Sequence, residues 1–187
     1  MNKRKKERIG IFSGSFDPPH KGHMHIAKLF IKKLKLKKLI WSVSKKNPLL
    51  KKKYYNSYSE RISLSKLITK KYKKIIINNF DKKYSYQLVN SIKKKYYNNK
   101  LYFLIGSDNA QNLHKWKNLS KLMNSSTMVV INRPGYKKEF KKLKNTGLPV
   151  LFLNDSKDKV LNQKITFSLQ IKEQKLKGKN IIAKSVV

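Results

Sequence analysis

Short apolar runs alternate with amphipathic segments along this chain, and that alternation restricts its possible folds more than any other feature. The runs within RIGIFSG, KKLIWSVS, KIIINNF, KLYFLIGSDN, TMVVINRPG and GLPVLFLN are typical of buried strands. Between the first two, GHMHIAKLFIKKLKL has apolar residues at helical spacing, at Ile26, Leu29, Phe30 and Leu34. Strands that alternate with helices predict right-handed βαβ units. We therefore expect an α/β protein with a mostly parallel sheet flanked by helices.

Three more segments predict helices that follow later strands, namely SERISLSKLITKK, SYQLVNSIKKKYYN and NLSKLMNSS. In the first of these, the apolar residues are Ile62, Leu64, Leu67 and Ile68. The basic start, MNKRKKER, is not followed by the apolar stretch of a secretion signal. We expect residues 1–8 to form an exposed basic tail and residues 9–187 to form a single domain.

The net charge of +37 raises the question of a nucleic-acid partner. Only four of the 46 basic residues are arginines, which nucleic-acid readers use for bidentate contacts, and the lysines are spread over the whole chain. Asn, Ile and Tyr are also abundant, and all four types have A/T-rich codons. We therefore expect a solvated basic surface that binds polyanions incidentally at low salt, not a dedicated nucleic-acid site.

Cysteine is absent, which excludes disulfides and thiolate metal sites. No apolar run approaches the roughly 20 residues of a membrane span. These features predict a cytoplasmic protein without a membrane partner, and they carry no signal for an oligomeric state.

The turn GSFDPPHKGH, which joins the first strand to the first helix, has the residues of a phosphate site. Gly14 and Ser15 can bring backbone N–H groups close to an anion. His20 and His23 are three residues apart, so a first helical turn places both on one face, at a helix end that favours negative charge. Ligands of parallel sheets bind at the carboxyl ends of strands, where this turn and the turn after LYFLIG both lie.

The histidines also have an alternative interpretation as metal ligands. A His-x-x-His pair can bind a metal, but with no cysteine and few acidic residues nearby we predict no metal site. Gly22, between the two, is expected to leave room for the ligand, and His25 is interpreted as a surface residue.

These residues resemble a known family. GSFDPPHKGH is similar to the signature of the nucleotidyltransferase superfamily with the His-x-Gly-His motif. With LIGSDNAQNLHKW and INRPG, it resembles bacterial nicotinate-nucleotide adenylyltransferases from about Ile9 to Lys172. The resemblance implies a Rossmann-like nucleotidyltransferase fold. It also implies transfer of AMP from ATP, accompanied by Mg²⁺, to nicotinate mononucleotide, which yields nicotinate adenine dinucleotide and pyrophosphate in NAD biosynthesis.

The same resemblance implies the site residues. It makes His20 and His23 the catalytic groups, which stabilise charge on the ATP phosphates, and gives Asp17 the task of shaping the loop. The implied ATP-binding residues are Gly14, Ser15, Phe16, His20, His23, Gly106, Asp108, Ser168 and Lys172. The implied mononucleotide-binding residues are Tyr84, Ser85, Tyr86, Trp116, Arg133 and Lys46. Trp116 would stack on the nicotinate ring, and a core tryptophan is the alternative.

The chain departs from the family pattern at three places. Ser13 replaces a glycine and is expected to crowd the first turn, and Gln87 and Leu88 replace Asp and Thr. In FSLQIK, Leu169 and Lys172 replace a threonine and an arginine, which predicts weaker contacts to ATP phosphates.

Two other functions stay open beside the first. One is a sibling adenylyltransferase with another acceptor, such as phosphopantetheine, although DPPHKGH disfavours it because that family has a threonine near Pro19 and His20. The other is a drifted protein that binds nucleotides or polyanions with little catalysis.

Overall fold

The structure, a computed structural model, describes residues 6–48, 53–78, 82–110, 112–132 and 150–153. Within these ranges the strands are β1 (Arg8–Gly14), β2 (Lys38–Val43), β3 (Ile75–Asn78), β4 (Lys100–Gly106), β5 (Thr127–Ile131) and β6 (Val150–Leu153). The helices are α1 (Lys21–Lys33), α2 (Tyr58–Thr69), α3 (Ser85–Lys95), α4 (Ser107–Ala110) and α5 (Leu119–Ser125), with a 3-10 turn at Leu113–Lys115. None of these helices is long and apolar enough to cross a membrane.

The six strands form one sheet in the order β3-β2-β1-β4-β5-β6, and every neighbouring pair is parallel. In the centre, Ile11 of β1 lies opposite Ile40 of β2 on one side and Phe103 of β4 on the other. The chain passes from β1 outward to β3 and then returns to β4 on the other side of β1. The strand order therefore reverses between β1 and β4, which is where parallel sheets open a ligand crevice. The predicted α/β sheet is confirmed.

Helices cover both faces of the sheet because successive residues of a strand point to opposite sides. Ile9 and Ile11 of β1 belong to the core beneath α3 and α5, whereas Phe12 belongs to the core beneath α1. Gly10 lies on the α1 side, where an added Cβ would come within 2.5 Å of Leu36 Cδ1. This glycine therefore permits the close approach of the α1 layer to the central strand.

The predicted helix α2 is present, and Ile62 and Ile68 pack against the core, but its fully buried side is polar. The buried positions are Arg61, Ser65 and Thr69, which are spaced four residues apart, and Leu67 is 70% exposed. Each buried polar side chain makes hydrogen bonds: Ser65 Oγ accepts from Trp41 Nε1 at 3.2 Å, and Thr69 Oγ1 donates to the Ser65 carbonyl at 2.7 Å. Burial of polar groups costs little once they are paired, so hydrophobicity alone does not identify this face.

Two details concern the start of the chain. β1 begins at Arg8, and the Glu7 N–H donates to Asn99 Oδ1 at 3.0 Å, so the sheet includes the end of the predicted tail. Ser13 lies within β1, opposite Ser42 of β2, where extended backbone suits any residue. The serine therefore belongs to the strand that precedes the turn, and it lines the cleft.

Candidate active site

A cleft of about 810 Å³ lies at the carboxyl ends of β1 and β4. This volume is within the range of small-molecule sites. Its lining includes ten of the predicted site residues: Gly14, Ser15, Phe16, His20, His23, Lys46, Tyr84, Ser85, Gly106 and Trp116. The parallel topology brings these residues together from turns that are far apart in the sequence.

The two histidines lie at the N-terminus of α1, with ring centroids 3.8 Å apart. The His20 backbone N–H donates to His23 Nδ1 at 3.2 Å. A nitrogen that accepts a hydrogen bond carries no proton, so the neutral His23 ring carries its proton on Nε2. His23 therefore has its N–H donor on the atom away from its own backbone, beside helix N–H groups that attract anions.

Gly22 lines the cleft, and its lack of a side chain also affects His20. A Cβ on Gly22 would lie 3.0 Å from both Cε1 and Nδ1 of His20. This is tighter than an ordinary van der Waals contact. The glycine thus makes room for the His20 imidazole itself, and by that means it permits the ring pair.

Aromatic rings pack against His23. Phe16 stacks on the fully buried Trp41 at 4.2 Å and meets the His23 ring edge-on at 5.1 Å. Phe16 has a φ of 48°, a left-handed conformation that costs about 1–3 kcal/mol in a bulky residue. Packing of the ring against Trp41 and Phe12 offsets that cost.

Asp17 connects the turn between β1 and α1, residues 14–20 and called the histidine turn below, to the segment before α2. Its carboxylate accepts hydrogen bonds from the Tyr55 N–H at 2.7 Å, from the Asn56 N–H at 2.9 Å and from Asn56 Nδ2 at 2.7 Å. Burial raises the pKa of Asp17, but the hydrogen bonds from Asn56 and Tyr55 outweigh it and hold the pKa below its ordinary value. An ionised carboxylate that is engaged in this way shapes the loop, as predicted.

Arg61 was missed by the sequence analysis. Its side chain comes from α2, is 1% exposed, and ends beneath the cleft. Its Nη1 donates to the Ser15 carbonyl at 2.6 Å and to the Ser44 carbonyl at 2.8 Å, and its Nη2 donates to the Lys45 carbonyl at 3.1 Å. An arginine in an otherwise amphipathic helix looks like a surface residue, so no pattern in the sequence identified it.

The opposite wall of the cleft is aromatic and basic. Tyr84, just before α3, has Lys83 Nζ at 5.4 Å and Lys117 Nζ at 5.1 Å from its ring centroid. Trp116 is half-buried and meets Phe103 edge-on at 6.1 Å while it also lines the cleft. The proposed stacking role and the core role are therefore compatible. Gln87, where the family has Asp, accepts from the Tyr84 N–H at 3.2 Å and so fixes the start of α3.

Some predicted residues lie elsewhere. Tyr86 stacks on Tyr84 at 6.1 Å but packs against the core instead of lining the cleft. The cleft lining contains Asn109 and not its neighbour Asp108, whose Oδ2 accepts from Asn109 Nδ2 at 3.4 Å. Arg133, Ser168 and Lys172 lie outside the described residues, as does Leu169.

The cleft is strongly positive. Six exposed lysines line it, at positions 46, 53, 82, 83, 115 and 117, whereas Asp17 is the one acidic residue among the described lining residues. The described part of the chain has no group of three or more His, Asp or Glu side chains placed to hold a metal ion. The site thus attracts anions and offers them imidazoles, helix N–H groups and aromatic faces.

Comparison with known proteins assigns the chain to a family. Residues 11–182 match the model of the cytidylyltransferase-like family. A probable nicotinate-nucleotide adenylyltransferase of Pelagibacter ubique is 36% identical over 72% of this chain and 76% of the relative. The chain belongs to the nicotinate-nucleotide adenylyltransferase family. This confirms the predicted family and the prediction of a nucleotidyltransferase enzyme.

Two other proteins are also similar to this chain. A probable nicotinate-nucleotide adenylyltransferase/Ap4A hydrolase of Mycoplasma genitalium is 37% identical over 70% of this chain, which spans about two fifths (38%) of that relative's length. The structure of Plasmodium falciparum nicotinic acid mononucleotide adenylyltransferase complexed with NaAD is 20% identical, with a TM-score of 0.65 over 79% of this chain and 75% of that one. The structural similarity confirms the Rossmann-like nucleotidyltransferase fold.

Proposed function

We propose that this chain transfers the AMP moiety of ATP to nicotinate mononucleotide, giving nicotinate adenine dinucleotide and pyrophosphate. The observation that carries the proposal is the His20–His23 pair at the N-terminus of α1, which lines the same cleft as Tyr84 and Trp116. One cleft can therefore hold a triphosphate and an aromatic mononucleotide side by side. The names of the family's relatives support this acceptor.

In this proposal the protein supplies positioning and charge stabilisation. A phosphate oxygen of the mononucleotide attacks the α-phosphorus of ATP, the bond from that phosphorus to the bridging oxygen breaks, and pyrophosphate leaves with the electron pair. The attacking phosphate is already an anion, so no general base is needed. His23, through its Nε2–H, and His20 donate to phosphate oxygens on which negative charge increases.

Mg²⁺ is best treated as part of the ATP substrate. The carboxylate of Asp17 is engaged by Tyr55 and Asn56, and no other carboxylate is among the described residues of the lining. Mg²⁺ commonly binds through substrate phosphates with few protein ligands, which suits this cleft. The ATP contacts of Ser168 and Lys172, the mononucleotide contact of Arg133 and the cytoplasmic location stay predictions.

The test is pyrophosphate release by the purified chain with MgATP and one acceptor at a time. The acceptors are nicotinate mononucleotide, nicotinamide mononucleotide and phosphopantetheine, and His20→Ala/His23→Ala is the matched control. We expect release and a dinucleotide product with nicotinate mononucleotide, and neither from the control. Preference for phosphopantetheine would support the sibling reaction, and ATP binding without release for any acceptor would support the drifted binding protein.

A further inference from the structure

Arg61 is a buried cation that connects two loops of the cleft. Its three hydrogen bonds end on the carbonyl of Ser15, in the histidine turn, and on those of Ser44 and Lys45, in the turn after β2. The first turn contains the predicted phosphate contacts, and the second leads directly to Lys46 on the cleft lining. The guanidinium therefore lies between the ATP side and the acceptor side of the proposed reaction.

The surroundings of Arg61 are built to hold a planar cation. The Tyr54 ring centroid lies 4.2 Å from its Cζ and the Tyr58 centroid lies at 5.6 Å. Burying a charge is costly, and a well-packed apolar residue usually stabilises a fold at least as well. What an apolar residue does not supply is a fork of donors with fixed geometry. The arrangement therefore indicates that Arg61 holds the carbonyls of the two turns in position, in addition to any effect on the stability of the fold.

A second connection runs parallel to the first. Asp17 binds the backbone N–H groups of Tyr55 and Asn56, and the Ser44 N–H donates to the Gly14 carbonyl at 2.9 Å. The histidine turn is therefore connected to the segment between β2 and α2 by an acidic side chain, by a basic side chain and by a backbone hydrogen bond. The Arg61 side chain hydrogen-bonds to both turns at once.

We propose that Arg61 is a positioning residue, which holds the histidine turn and the 44–46 turn at the separation needed for AMP transfer. The expected effect of Arg61 on the rate of AMP transfer rests on the proposed function. Lysine at this position keeps the charge but has one nitrogen in place of a planar fork, so it does not hold three carbonyls in two loops. The substitution therefore loosens the turns relative to each other.

The test compares Arg61→Lys with Thr69→Ala. Thr69 lies on the same buried side of α2, two turns farther from the cleft, so its variant disturbs the helix without touching either turn. We expect Arg61→Lys to lower kcat by about tenfold to a hundredfold, because small misplacements are costly at a reacting centre. The KM values should change less than kcat. Thr69→Ala should leave kcat within about twofold of wild type.

Amide hydrogen exchange provides a readout that needs no catalysis. In Arg61→Lys, exchange should accelerate in peptides covering residues 13–17 and 43–47, where the Ser44 N–H is bonded to Gly14. Thr69→Ala should leave those peptides at the wild-type rate. If wild type releases no pyrophosphate with any acceptor, the proposed function fails, and exchange alone then decides the role of Arg61.

Three outcomes would overturn the positioning role. The first is wild-type kcat and wild-type exchange in Arg61→Lys. The second is an equal loss of kcat in Thr69→Ala, which would show a general effect of a disturbed α2. The third is failure of both Arg61→Lys and Arg61→Gln to fold, by circular dichroism, while Thr69→Ala folds, since this assigns Arg61 to stability.

Discussion

At the scale of single residues, the site depends on where the hydrogen atoms of two imidazoles point. His23 accepts from the His20 backbone through Nδ1, so its Nε2–H remains the ring donor. Phe16 and Trp41 limit the motion of the His23 ring, and Gly22 lets the His20 ring lie beside it. The histidine spacing by itself therefore does not make the site, because the neighbours set the orientation of each ring.

His23→Ala should lower kcat by about a hundredfold to a thousandfold, because it removes a donor to the charge that develops on phosphate. The fold should survive, since His23 is only partly buried. His114→Ala is the control, as His114 is exposed and absent from the cleft lining. Turnover by His23→Ala close to that of the His114 variant would contradict the assignment.

Trp116 should contribute to acceptor affinity through its ring. Trp116→Leu keeps an apolar contact for Phe103 but loses the aromatic face, so the KM for nicotinate mononucleotide should rise about tenfold or more. The KM for ATP should change much less, and Trp116→Phe should recover most of the affinity. If both KM values rise together and the thermal midpoint drops, Trp116 acts as a core residue instead.

At the scale of elements, turns and helices fit together through small residues and paired polar groups. Gly10 lets α1 and the Leu36 turn lie against β1, with an added Cβ only 2.8 Å from Phe30 Cε1 and 2.9 Å from Leu39 Cδ1. On the same face, α2 presents Arg61, Ser65 and Thr69 to the sheet. Element packing here depends on fit and on hydrogen-bond pairing, not on hydrophobicity alone.

The same chemical change at two glycines should give opposite results. Gly10→Ala places a methyl group among buried side chains, so the free energy of unfolding should drop by about 1–3 kcal/mol. Gly22→Ala lies in the exposed first turn of α1, where alanine favours a helix, so stability should be kept. Its kcat should fall because His20 is displaced.

Urea unfolding and pyrophosphate release measured on both glycine variants check this pair. The structural account would be wrong if Gly10→Ala were as stable as wild type. It would also be wrong if Gly22→Ala kept full activity.

At the scale of the whole molecule, the charge has a local and a general part. The general part is the +37 spread over the surface, and the local part is the six lysines around the cleft. Both substrates of the proposed reaction are anions, and fields inside a concave site speed their association. The salt dependence of substrate association should therefore come mainly from the six cleft lysines, and less from the other basic residues.

The value of kcat/KM for nicotinate mononucleotide should fall about tenfold as ionic strength rises from roughly 50 to roughly 300 mM. Replacing Lys82, Lys83, Lys115 and Lys117 by Gln should remove most of that dependence. The matched control replaces four lysines outside the cleft lining, Lys70, Lys71, Lys73 and Lys74, with the same change in net charge. Equal effects of the two quadruple variants would refute a local role.

The sequence by itself determined the α/β class, the positions of the six strands and the family. Short apolar runs predicted β1 to β6, because a buried strand consists of consecutive apolar residues. The turn GSFDPPHKGH predicted a phosphate site for a similar reason, since its glycines, prolines and histidines lie close together in the sequence. Both predicted catalytic histidines lie within this one turn.

Only the tertiary structure decided which polar residues are buried and which residues meet across the cleft. The burial of Arg61 depends on carbonyls 16 to 46 residues away, and no local pattern records that pairing. In the same way, contacts formed only on folding put Tyr86 against the core, brought Asn109 to the cleft in place of Asp108 and left Leu67 exposed. Hydrophobicity is a property of one residue, whereas the cost of burying a polar group is set by its partners.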